Sequence, residues 1–292
     1  MPHLHHAALG LSGTVLNLVL IFTAVLYLRG WLSLRSNSLK VPSAWRAGSF
    51  LLGLSSVWLA MASPIAALDH ELLTIHMLQH LLLMTIAPPL LWLGEGSMLH
   101  ACPRRFVEKL APLWSSRASR TTGRLLGRPR FAWLAACAAL IGWHIPTLFA
   151  LGMRSPAWHL FEHMSFLVTG LLFWRPVVQP DGNEPRQNLS IILYLFFATL
   201  PCDILSAFLV FSDRVVYPIY FSSSHQFGFS PLVDQQCAAA LMWTCVTVVY
   251  FVAGAILTMR LLAPNGLPQV GSLSSKLRDA NPQGRSQLVE AL

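Results

Sequence analysis

Apolar runs of about 20 residues recur along the chain, near 10–32, 46–66, 72–94, 130–151, 157–177, 189–211 and 237–262. A helix of that length crosses the roughly 30 Å hydrocarbon core of a bilayer, so the runs leave little choice of fold class. Composition agrees: 54% of residues are hydrophobic and 11% charged, against about a quarter charged in a soluble domain. The predicted fold is all-α, a polytopic bundle of seven transmembrane helices that makes residues 1–262 one membrane domain. Residues 263–292, with Pro264, Gly266 and Pro268 followed by polar and basic residues, carry no apolar period and are predicted to be a disordered cytoplasmic tail.

Orientation follows from the basic residues. Arg35, Lys40 and Arg46 lie between the first two runs, and Arg104, Arg105, Lys109, Arg117, Arg120, Arg124, Arg128 and Arg130 between the third and fourth. Cytoplasmic loops collect such residues, so the N-terminus is predicted outside and the C-terminus in the cytoplasm. The opening MPHLHHAALGLSGTVLNLVL has no basic segment before its apolar run, and the first helix is expected to be retained rather than cleaved. The net charge of +8 reads as this topology signal and not as a nucleic-acid surface. Cys102, Cys137, Cys202, Cys237 and Cys245 form no CxxC pair, so neither a disulfide framework nor a zinc finger is indicated.

On this topology every histidine of the eleven except His100 falls on the outer side. His76 and His80 sit about 9 and 15 Å along the third helix from His70, by helix rise, and share a face because i and i+4 side chains are neighbours. The fourth helix brings His144 of GWHIP to a similar depth, and the fifth, entering through WHLFEHMSF, brings His159 at the mouth and His163 one turn deeper. Ionisable groups in a membrane interior are costly, and a functional role is the default hypothesis. Two i, i+4 imidazole pairs on different helices can serve one metal ion, and imidazole suits copper, zinc, iron and nickel. The predicted ligands are His76, His80, His144, His159 and His163.

Glu162 and Asp203 are candidates for orienting the imidazole N–H groups, and Cys202, Met242 and Cys245 for additional soft ligation at similar depth. Asp234 and Gln235 at the head of the seventh helix either line the mouth of the site or cap the helix. His70, His225 and the His3, His5, His6 cluster read as solvated polar residues, and Met61, Met77, Met84, Met153 and Met164 as packing. Pro88 and Pro89 are expected to kink or break the third helix. No nucleophile with a base at a recognisable spacing and no phosphate-cradling glycine loop occurs, so the chain is expected to bind rather than catalyse.

HMLQHLLLMTIAPPLLWLG, WHIP, HLFEHMSFLVTGLLFWRPV and VDQQCAAALMW, in that order between about 50 and 262, together resemble the CtaG-like family of cytochrome c oxidase assembly factors. The resemblance implies a multi-pass protein of the bacterial inner (plasma) membrane that is needed to produce active oxidase by helping copper reach its binuclear centre. It places His76, His80, His144, His159, His163, Asp234, Gln235, Gln236, Met242 and Trp243 on motif positions. An oxidase subunit or a copper chaperone is then the expected partner, and copper the expected ion. A copper importer and a haem-bearing electron carrier are the rival readings.

Overall fold

A computed structural model describes residues 2–37, 43–95, 128–179, 185–221, 228 and 230–262, and every regular element among them is helical. The basic loop at 96–127 with His100 and Cys102, His225, and the tail at 263–292 lie outside the described residues, as do the side chains of His3, His5 and His6. The helices are α1 (Pro2–Asn37), α2 (Ala44–Met61), α3 (Leu73–Leu81), α4 (Ala87–Gly94), α5 (Pro129–His144), α6 (Pro146–Arg154), α7 (Pro156–Val178), α8 (Pro185–Val210) and α9 (Pro231–Leu262). Proline opens α5, α6, α7, α8 and α9, where its missing N–H costs nothing and its fixed φ suits the first turn.

Among the described residues, five stretches are long and apolar enough to cross a membrane: Gly13–Arg35, Ala44–Leu68, Leu73–Gly94, Leu189–Val210 and Pro231–Leu262. The pair α5 and α6 makes a sixth if it is taken as one broken span. The 23-residue α7 is not among them, because His159, Glu162, His163 and Arg175 dilute its apolar character. The surface is that of a protein dissolved in lipid: Leu18, Phe22, Ile204, Phe208, Phe211 and Phe251 are all exposed, in an apolar spread that soluble monomers do not tolerate.

The sharp break in the bundle falls at WHIP. The residue before a proline is pushed out of the helical region, and Ile145 accordingly adopts ψ 124° between α5 and α6, which are bent by 79° relative to each other. The Pro88–Pro89 pair, where a kink or break is expected, behaves otherwise. The helix continues from α3 to α4 through a π turn at Leu82–Ile86, whose wider loop absorbs an extra residue. Pro88 cannot donate to the carbonyl of Met84 four residues earlier; the indole N–H of Trp174 donates to it instead, at 3.1 Å. Gly170 makes that approach possible, since a Cβ there would stand 2.8 Å from the same carbonyl oxygen.

α7 therefore packs directly on the π turn and on α4, and it also meets α3, α5 and α6. That central position brings its polar first turns against the histidines of α3.

Candidate metal centre

The first turns of α3, the last turn of α5 and the first turns of α7 meet at one end of the bundle. Adjacent turns of α3 carry His76 and His80, whose ring centroids are 4.3 Å apart. α7 contributes His159 and His163, 4.2 Å apart, with Glu162 between them in sequence. α5 ends on His144, 6.1 Å from His80 between ring centroids. His76 and Glu162 are fully buried, and His163, His80 and His144 are 4, 6 and 6% exposed.

Glu162 is the centre of this arrangement. Its Oε1 lies 3.2 Å from His80 Nε2 and 3.5 Å from His76 Nε2, and the three ligand atoms fall within 4.8 Å of one another. Donor atoms held by one tetrahedral ion at roughly 2 Å stand about 3.3 Å apart, so the three atoms could hold one ion. Neither nitrogen of His76 or His80, and neither oxygen of Glu162, has a hydrogen-bond partner, nor do His144 Nε2 and His163 Nε2. Buried polar groups left unpaired cost about 1–3 kcal/mol each; a cation among them would satisfy the acceptors together. His144 is already set for that role, because its Nδ1 donates to the Leu140 carbonyl at 2.7 Å and the neutral ring then keeps its lone pair on Nε2.

The carboxylate owes its position to an absent side chain. A Cβ on Gly152 of α6 would sit 2.6 Å from Glu162 Oε2, so the bend at WHIP lays a glycine against the acid. Trp143 borders the same glycine, and its indole N–H donates to Ser165 at 2.8 Å while Ser165 donates to the Glu162 carbonyl at 2.7 Å.

A family model for the cytochrome c oxidase caa3 assembly factor (Caa3_CtaG) matches residues 25–263. The chain belongs to that family. No curated protein and no solved structure matches it. Membership makes cytochrome c oxidase the client of this caa3 assembly factor, and its helices make the bilayer its surroundings.

The remaining predicted residues divide. His163 and His144 flank the His76–His80–Glu162 cluster, with His163 5.8 Å from His80 between centroids. His159 turns toward Asp69, 3.6 Å from Nε2 to Oδ2. Glu162, a candidate to orient the imidazoles or to join them, has its Oε1 beside the Nε2 atoms of both His80 and His76. Met242 and Cys202 line a cavity of about 40 Å³ together with His80, His144, Met77 and Met84. Cys245 only packs against the apolar core, and Asp203, whose buried Oδ1 has no hydrogen bond, joins neither carboxylate–imidazole cluster.

Asp234 of this assembly factor does cap a helix, but a different one from its own. Its Oδ2 accepts from the Leu73 N–H at 2.7 Å, and its Oδ1 from the Thr74 N–H at 3.2 Å and the Thr74 hydroxyl at 2.6 Å, which closes the exposed first turn of α3. Gln235 ties the segment before α9, accepting from Val216 N–H at 2.7 Å and donating to the Leu209 and Arg214 carbonyls. Gln236 and Trp243 are only partly buried on α9. Sequence reasoning missed Gly152, Tyr217 and Gln79: Tyr217 donates to the His144 carbonyl at 3.0 Å, and Gln79 donates to the Ala66 carbonyl and to Asp69 Oδ2, both at 3.1 Å. The i, i+3 relation of Gln79 to His76 on HMLQH was the one available signal.

Proposed function

We propose that this protein binds copper at the His76–His80–Glu162 cluster, on the outer side of a bacterial plasma membrane, and passes it to a cytochrome c oxidase subunit, directly or with a copper chaperone. It acts by holding and releasing the ion, without catalysis. In this reading the chain crosses seven times, with α3 and α4 one span, α5 and α6 another and α7 the span its own polar residues disguise; the N-terminus is outside and the C-terminus inside. Strict alternation puts the start of α3, the end of α5 and the start of α7 on the same side, which agrees with their meeting at one site.

The observation that carries the reading is the convergence of buried His76, His80 and Glu162, with ligand atoms within 4.8 Å of one another and no well-formed hydrogen bond among them. The cavity beneath His80 and His144 adds support for copper, since the sulfur-bearing residues Met77, Met84, Cys137, Cys202 and Met242 are among those that line it and soft ligands suit copper. At about 40 Å³ it admits an ion or a few waters.

The purified full-length protein should carry copper. His76→Ala or His163→Ala should lower its copper content about tenfold or more, by analogy with even outer partners of metal ligands, and leave cells with less active oxidase although the protein still inserts. Metal analysis showing normal copper in both variants would rule out the ligand set, and a Soret band in the wild type would replace it with a haem.

A further inference from the structure

We infer that a second metal site, at Asp69, His70 and His159, captures an ion at the rim of the bundle and loads the buried cluster; the loading half of this inference rests on the function proposed above. Asp69 ends the short 3-10 turn Ala66–Leu68, and His159 stands in the first turns of α7. Asp69 Oδ1 is 3.8 Å from His70 Nε2 and Oδ2 is 3.6 Å from His159 Nε2. One ligand atom from each residue falls within 4.8 Å of the other two, although the separations are longer than those in the inner cluster. Two imidazoles and a carboxylate suit a divalent first-row ion, Cu²⁺ among them.

The rim carboxylate is held in place before any ion arrives. Asp69 is 6% exposed, Gln79 donates to its Oδ2 at 3.1 Å, and the Tyr220 hydroxyl donates to its backbone carbonyl at 2.7 Å. His159 Nε2 is buried and accepts or donates no hydrogen bond. His70 is the exposed member, its side chain 54% accessible, and it gives the group an opening that the inner cluster lacks.

The two sites are joined by rings. His159 stacks on His76 with centroids 5.5 Å apart and meets His163 at 4.2 Å, while His76 meets His80 at 4.3 Å. An ion can therefore exchange His70 and Asp69 for His76 and Glu162 one ligand at a time, with His159 bound through the change. No ligand is oxidised or reduced in such a transfer. The charge of the ion always has a carboxylate nearby, first Asp69 and then Glu162.

The test titrates the purified full-length protein with Cu²⁺ alone and follows stoichiometry and the rate at which the tighter site fills. The wild type should take two ions per chain, and His70→Ala, at an exposed position with little risk to folding, should take one. His70→Ala should also fill the tight site at least about tenfold more slowly at unchanged final affinity, and Asp69→Asn, which keeps the shape of the side chain, should do the same. Two ions bound by both variants would overturn the rim site; one ion bound at the wild-type rate would overturn the loading route. The double variant His76→Ala/His80→Ala separates the two proposals. One ion still bound there, and lost on adding His70→Ala, upholds the rim site with the inner reading intact or not, while no ion bound there overturns the rim site.

Discussion

Glu162 sits fully buried with both oxygens lacking hydrogen bonds, and a carboxylate so placed costs several kcal/mol unless charge compensates it. Its room comes from Gly152. Replacing Gly152 by Ala should favour α6 by up to about 1 kcal/mol through helix propensity while driving a methyl into the carboxylate. The variant should keep its thermal stability in detergent yet lose most of its bound copper, and retained copper would show that the acid can retreat without harm. The histidines were legible at this scale because i, i+4 spacing and helix rise are simple geometry. Asp69 and Gly152 were not, since nothing local distinguishes an aspartate at a turn or a glycine in GMR until α6 and α7 are folded against each other. Glu162 was legible as a neighbour of the imidazoles, and the fold sets its carboxylate beside His76 and His80 of another helix.

At the scale of elements, α3 depends on a cap donated from α9. Its own N-cap residue, Leu72, offers no side-chain acceptor, and Asp234 supplies the missing one twice over. Loss of a cap costs about 0.5–2 kcal/mol, and leaving buried N–H groups bare adds about 1–3 kcal/mol. Asp234→Ala should therefore lower stability by about 2 kcal/mol, read as an earlier unfolding midpoint, and should weaken copper binding because the first turn of α3 carries His76. An unchanged midpoint would mean that water replaces the carboxylate. The capping chemistry was visible in VDQQ, but the helix it serves was not, because hydrogen bonds between distant segments leave no periodic trace. The two prolines in IAPPLL show the converse: local rules allow a break, and the helix runs on through a π turn with Trp174 serving the carbonyl of Met84.

For the molecule as a whole, the apolar runs were enough to foresee a helical membrane bundle, while its helices overrun or fall short of those runs, as where α1 begins at Pro2 and α9 at Pro231. The run at α7 is the exception that matters, because three of the residues that make it too polar for a simple span, His159, Glu162 and His163, also stand at the candidate site. A bundle that keeps unpaired imidazoles and a carboxylate in its interior gives up stability to hold them, and an ion should return it. At a free copper concentration a hundred times the dissociation constant, the gain is about 2.7 kcal/mol. Copper should raise the unfolding temperature of the wild type measurably and that of Glu162→Gln much less, and equal shifts in the two would place the ion elsewhere.

The cap on α3 also carries a consequence for biosynthesis. Thr74 and Asp234 are 160 residues apart, so the ribosome makes the paired histidines long before it makes the group that finishes their helix. Until α9 has been made, the first turn of α3 lacks the carboxylate that caps it. The turn that carries His76 is thus finished only late in synthesis, by a residue far along the chain.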